Sequence, residues 1–211
     1  MRPNLILGLI LAALTLSVPA FASACSVPAL TSQHKQPINV SRPNNTLFNQ
    51  AVLHYINIER CKAGRQPFRS DSRLVGMAAG HSSGMASTRT FSHRIPRSGY
   101  ETMVKRLNRA GVDFNAAAEN IARNYVYVLS NRPISTKTGG QCKFFYSGSG
   151  QPVPKHSYQS LAYEVVTQWM RSAGHRKNIL DRRFTRTGSA FGVNAQGSAC
   201  GEVYLTQNFA N

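Results

Sequence analysis

"TGSAFGVNA" (residues 187–195) and "CGEVYLTQNFA" (200–210), joined by "QGSA", decide the fold. In the second stretch Val203, Leu205 and Phe209 fall on one side of an extended chain. Tyr204, Thr206 and Asn208 fall on the other, the period of two expected of a strand. Two such runs with a short polar loop between them predict a closing hairpin. Upstream, "SLAYEVVTQWM" (160–170) steps by four through Leu161, Val165 and Trp169, which predicts a helix, and "GHRKNIL" (174–180) opens a second short helical piece. "AENIARNYVYVL" (118–129) reads as a strand with a polar start. Two helices come first. "NNTLFNQAVLHYINIERCKAG" (44–64) carries Leu47, Ala51 and Ile58 at helical spacing, with Asn45 or Thr46 as the cap and Gly64 as the stop. "SRLVGMAAGHSSGMAST" (72–88), capped by Asp71, places Leu74, Ala78, His81 and Met85 on one inward face. "SGYE" (98–101) has the spacing of a capping box between Ser98 and Glu101, opening a helix with Tyr100, Met103, Leu107 and Ala110 on one face. Helices, a strand, more helix and a final hairpin predict an α+β domain, a small antiparallel sheet covered by helices.

The N-terminus has a different character. An apolar run over residues 4–19 follows Arg2 and ends in Ala22-Ser23-Ala24, the pattern of a secretory signal cleaved near Ala24. Residues 1–24 are therefore expected to be a signal peptide and the protein to be secreted or periplasmic. A lipoprotein would carry its lipid on Cys25, but position 22 would then usually be Leu. The remaining chain of about 187 residues suits one domain with a real core. Residues 25–44, with three prolines, read as an extended lead-in, and residues 45–211 as the folded domain. Residues 130–158, rich in Gly, Ser, Pro and Lys, are too long for an ordinary connector and read as an insertion, either a lid or a tied-down decoration.

Formal charge is +17, with only eight carboxylates in the chain. Such a surface attracts anionic partners: envelope sugars, acidic lipids, nucleic acid. The charges are scattered and not gathered in a run, which favours a solvated face over a nucleic-acid interface. Four cysteines, Cys25, Cys61, Cys142 and Cys200, allow three pairings and contain no C-x-x-C spacing for a zinc cluster. The expected pairs are Cys142–Cys200, tying the insertion to a late strand, and Cys25–Cys61, pinning the lead-in to the first helix.

Among six histidines, His93 and His175 stand where a loop meets a helix, positions that expose a side chain while holding its backbone still. Glu119 opens a strand after three alanines. A carboxylate there needs a partner, either a histidine or one of the many arginines. His93, Glu119 and His175 could bind a divalent metal such as zinc with open positions for water, or shuttle protons as catalytic groups. H-E-x-x-H and G-x-S-x-G motifs are absent, and the glycines of 147–151 lack the lysine and helix of a phosphate loop.

"FSH" (91–93), "AEN" (118–120), "WMRSAGHRKNIL" (169–180) and "LTQNF" (205–209) occur in the order seen in bacterial members of the CAP superfamily, the cysteine-rich secretory, antigen 5 and pathogenesis-related proteins, or SCP domains. The resemblance spans about residues 47–210, apart from the insertion. It implies an α-β-α sandwich whose cleft holds two histidines and two glutamates. His93 and Glu119 match the first of each. The second glutamate's position, three after Trp169, holds Ser172. The second histidine's position falls near Tyr204, and the bacterial branch carries His175 instead. Glu164 is a possible substitute for the missing glutamate, and His81 lies near the same cleft. The resemblance implies a ligand-binding role, for a small apolar, lipid-like or envelope-derived molecule. A metal-assisted or histidine-based hydrolase, protease or nuclease, using the same residues is the alternative.

Overall fold

In a computed structural model the described residues are 25–129, 132–136 and 142–211. The expected signal peptide and parts of the insertion lie outside them. In chain order the elements are α1 (Asn45–Lys62), β1 (Arg69–Ser70), α2 (Ser72–Thr88), α3 (Met103–Arg109), β2 (Ala117–Tyr125), β3 (Ile134–Thr136), β4 (Phe144–Tyr146), α4 (Tyr158–Arg171), α5 (Ala173–Leu180), β5 (Arg186–Asn194) and β6 (Glu202–Ala210).

The main sheet runs β1-β5-β6-β2. The closing hairpin pairs β5 with β6 antiparallel, and β2 adds antiparallel to the other side of β6. β1 joins β5 in parallel through two residues, so the sheet is mixed where an antiparallel one was expected. Two residues are too few to leave a periodic signal in the sequence.

Helices cover both faces. Val203, Leu205 and Phe209 of β6 pack with α1 and α4, around Trp169, Phe48 and Phe191. On the opposite face Tyr204 packs with Met85 and Ala86 of α2 and with Ile121 of β2. β6 is buried along its whole length, as a central strand covered twice must be. The α2 contact is unusually close. A Cβ at Gly192 would stand 2.6 Å from the Ser82 carbonyl oxygen, and one at Gly188 would collide with the backbone at Leu74 and Val75. These two glycines let a helix axis lie directly on the strand.

The helix ends follow local chemistry. Asp71 accepts from the amides of Arg73 and Leu74 and caps α2, while Gly64 takes a left-handed φ of 62° beyond α1. The cap of α1 is Asn44, one residue before the expected pair. The expected Ser98–Glu101 capping box does not form: α3 starts later, capped by Thr102, whose hydroxyl accepts from the Lys105 amide. Tyr100 therefore lies outside the helix.

Both expected disulfides are present, Cys25–Cys61 and Cys142–Cys200. The described part of the insertion forms the β3–β4 hairpin. It follows Tyr125, the far end of β2 from Glu119, and six residues of strand span about 20 Å. That places the described hairpin away from Glu119, with Cys142 tied to Cys200.

Candidate functional site

β2 is an edge strand, and successive residues on it face opposite sides of the sheet. Ile121 packs towards α2, whereas Ala118 and Ala122 pack towards α1 and α4. Glu119 shares the side of Ile121, and Asn120 shares the other.

Glu119 is buried and fully engaged. The Arg106 guanidinium donates from one nitrogen to both carboxylate oxygens, at 2.9 and 2.7 Å. His93 Nδ1 lies 2.9 Å from Oε1, and His81 Nδ1 lies 3.3 Å from Oε2. Burial by itself raises the carboxyl pKa. The hydrogen bonds from His81 and His93, with the charges of His81 and Arg106, overcome it and bring the group down to about 2. Glu119 is therefore an anion at any physiological pH.

Each partner is itself held in place. Arg106 also donates to the carbonyls of His93 and Tyr100, which ties down the loop between α2 and α3. A Cβ at Gly84 would lie 2.8 Å from Ile95 Cδ1, so the missing side chain lets this loop rest on α2. His81 Nε2 donates to the Ser92 carbonyl, and its Nδ1 also meets the Thr206 hydroxyl. His81 is thus a core histidine that braces the loop and the carboxylate together.

An ionised carboxylate can only accept, so His93 Nδ1 carries the hydrogen. That leaves Nε2 of a ring whose side chain is 54% exposed. On the other face Asn120 donates to the His175 carbonyl at 3.3 Å and accepts from Asn178 at 2.9 Å. The far end of α5 is gripped by Arg60, whose guanidinium donates to the carbonyls of Ile179 and Asp181. His175 has a buried Nδ1 with no hydrogen-bond partner among the described residues. Burial first, and then the charge of His93, lowers its pKa below the ordinary value, so it is neutral at pH 7. The adjacent residues Glu119 and Asn120 thus hold His93 from one face and α5 from the other, and the two imidazoles come within electrostatic range.

A zinc ion held by His93, His175 and Glu119 does not fit these donors. Both carboxylate oxygens already accept from a guanidinium, which would repel a cation placed beside it. Among the described residues no group of three His, Cys, Asp or Glu side chains is arranged to hold a metal.

Three further expected cleft residues lie elsewhere. Glu164 accepts from Asn124 at 2.8 Å and sits 3.2 Å from His156 Nε2, near the far end of β2, so it does not replace the missing glutamate. Tyr204 is buried and donates to Glu202. Ser172 links α4 to α5 through its backbone, its amide donating to the Trp169 carbonyl and its carbonyl accepting from the Arg176 amide. The residue that sequence reasoning missed is Arg106. It is one of the scattered charges taken together as a solvated face, yet it falls three after Met103 and one before Leu107, on the apolar side of the helix. A basic residue inside an apolar stripe was the available signal.

Three layers in the order helix, sheet, helix, with polar side chains gathered at an edge strand, define an α-β-α sandwich protein. Within that class the profile of the CAP family, described as the cysteine-rich secretory protein family, matches residues 105–209, and the chain belongs to that family. The match includes Arg106, Glu119 and His175. The chain is 28% identical over 170 residues to the uncharacterized protein YkwD of Bacillus subtilis (strain 168), covering 80% of this chain and 51% of that one. It is 29% identical over 164 residues to the uncharacterized membrane protein YlbC of the same organism, covering 78% and 34%. It thus spans about half of the length of the first relative and a third of the second. The crystal structure of an extracellular protein containing a SCP domain from Bacillus anthracis str. Ames shares the fold, with a TM-score of 0.53 and 24% identity over 83% of this chain and 45% of that one.

Proposed function

We propose that the protein is an exported binding protein that holds a small apolar or envelope-derived ligand against the His93–His175 pair. One observation carries this reading: two imidazoles within electrostatic range of each other each have a nitrogen uncommitted among the described residues, His93 Nε2 at the surface and His175 Nδ1 buried without a partner. A buried polar atom without a hydrogen bond costs about 1–3 kcal/mol, which a ligand hydroxyl or amide would recover. Phe91, two residues from His93 and 47% exposed, offers an apolar contact beside them. Export, to the medium or the periplasm, is supported by the signal-like leader and by two disulfides, which persist in oxidising compartments. The Cys25–Cys61 disulfide engages the sulfur that a lipid would need, which favours export over lipid anchoring. No helix among the described residues is long and apolar enough to cross a membrane.

The test is native mass spectrometry of protein isolated from its own secretion medium. A co-purified small molecule that disappears in both His93→Ala and His175→Ala supports the reading. A ligand retained in both variants refutes it.

A second reading rests on the His93–Glu119 bond. A carboxylate that fixes Nδ1–H leaves Nε2 as a proton acceptor, the arrangement of a general base in a hydrolase. Turnover of a bound ester or phosphodiester, lost in His93→Ala, would favour it.

A further inference from the structure

A cavity of about 300 Å³ opens between α2 and α3, against the loop that carries Ile95 and Tyr100. Neither His93 nor His175 lines it. We propose that this cavity is a separate binding site for a small monoanion with an apolar body, a monocarboxylate.

The charge in its wall is one-sided. Arg73, Arg106 and Arg109 line it, and no carboxylate does. The three guanidiniums are not equivalent. The charge of Arg106 is neutralised by Glu119, but its Nε, buried in a residue only 2% exposed, has no hydrogen-bond partner among the described residues. Arg73 donates to the Gly111 carbonyl and shares Asp71, 3.6 Å away, with Arg186, which sits closer at 2.7 Å. Arg109 has no acidic partner among the described residues: its Nε donates to the Tyr100 hydroxyl at 2.6 Å, and its guanidinium lies 4.8 Å from the Tyr100 ring centroid, which the Arg97 guanidinium also meets at 4.3 Å. The uncompensated charge is therefore between one and two, and Arg109 is the one guanidinium of the three with no acidic partner among the described residues. A monoanion is enough to meet that guanidinium. A planar carboxylate also matches the fork of donors that guanidinium presents.

Apart from His81 and Tyr100, the rest of the wall is apolar or bare. Met77 and Ile95 are buried beside the cavity, and Gly76 and Gly80 expose the backbone of α2 to it. A Cβ at either glycine would meet nothing within 4 Å. Glycine in a helix interior is destabilising relative to alanine, so the fold itself gains nothing from the gaps. They leave room for the body of a ligand whose charged end meets the arginines. The volume is at the lower end for small-molecule sites, which points to a compact ligand of about ten heavy atoms.

The same two glycines make the test robust. The disulfide-bonded protein is titrated with p-toluate, with p-toluamide as the neutral isostere and with inorganic phosphate, while the backbone amide resonances of Gly76 and Gly80 are followed by NMR. Saturable shifts at these amides are expected with p-toluate, at least tenfold tighter than with the amide. Gly80→Leu introduces a good helix former into open space. It is expected to keep or raise the melting temperature and to weaken p-toluate binding at least tenfold. Arg109→Gln, at an exposed position, is expected to do the same without loss of fold. Equal affinity for toluate and toluamide, or unchanged binding in folded Gly80→Leu, overturns the proposal. Tighter binding of phosphate than of p-toluate overturns the carboxylate assignment.

Discussion

Replacing Arg106 with Met keeps most of the apolar stem and removes the charge that faces Glu119. Both side chains are almost fully buried, at 2% and 3% exposure, and are joined by contacts of 2.7 and 2.9 Å. Removing one member of such a pair leaves a buried charge uncompensated, which costs about 3–5 kcal/mol. Arg106→Met also frees the carbonyls of His93 and Tyr100, which then lose their guanidinium donor. At about 2–4 °C per kcal/mol for a domain of this size, the melting temperature should fall by about 6–20 °C. Glu119→Gln should cost a comparable amount, because it strands the guanidinium. Urea denaturation of both single variants and the double variant closes a thermodynamic cycle, in which the coupling should be about 2–3 kcal/mol. A loss below about 1 kcal/mol for Arg106→Met, or single effects that add to within about 0.5 kcal/mol, would show that Glu119 does not depend on this arginine, and the reasoning for the whole site would fall.

The pH dependence follows from the same carboxylate. Its folded pKa of about 2 lies below the ordinary 4.5, so its stabilisation is complete above pH 4.5 and is lost as pH falls towards 2. That amounts to about 3 kcal/mol in total, and urea midpoints measured down to pH 3 should show a slope that Glu119→Gln flattens. His175, whose folded pKa is lowered, contributes in the same direction from pH 6.5 downward, and its ring should titrate below 6.5 in an NMR titration. Gly192→Ala would drive a methyl to within 2.6 Å of the Ser82 carbonyl oxygen, and Gly188→Ala would strike the α2 backbone. Each should cost about 3 kcal/mol or more by chemical denaturation, whereas Gly76→Ala should be neutral or stabilising. Replacing the Cys25–Cys61 pair with serines, at a separation of 36 residues, should lower stability by about 3–4 kcal/mol.

The sequence revealed those parts of the fold whose signals are local and periodic. The hairpin faces, with Val203, Leu205 and Phe209 set against Tyr204 and Thr206, followed directly from alternation. So did the bounds of α2, where Asp71 caps a run of four-residue spacing. "AEN" was informative because neighbouring strand residues face opposite sides of a sheet, which is how Glu119 and Asn120 reach two different elements. The less legible features depend on tertiary competition. Ser98 and Glu101 had the right spacing for a cap, but Thr102 starts the helix, because Arg106 must reach back to Glu119 and to the loop carbonyls. Glu164 was on the right helix, yet Asn124 and His156 lie closer to it than the imidazole pair does. The partner of Glu119 had many candidates among the arginines. Choosing between them required knowing which one lay on the buried side of a helix whose start had been misplaced.

The claim at the centre of this account is that Glu119, clamped by Arg106, fixes the His93 ring so that Nδ1 carries the hydrogen and Nε2 faces outward. Long-range ¹H–¹⁵N correlation of the imidazole rings at pH 8 reads this directly. The account predicts the Nδ1–H tautomer for His93 in the parent protein and its loss in Glu119→Gln. An Nε2–H tautomer in the parent, or an averaged signal unchanged by that substitution, would contradict it.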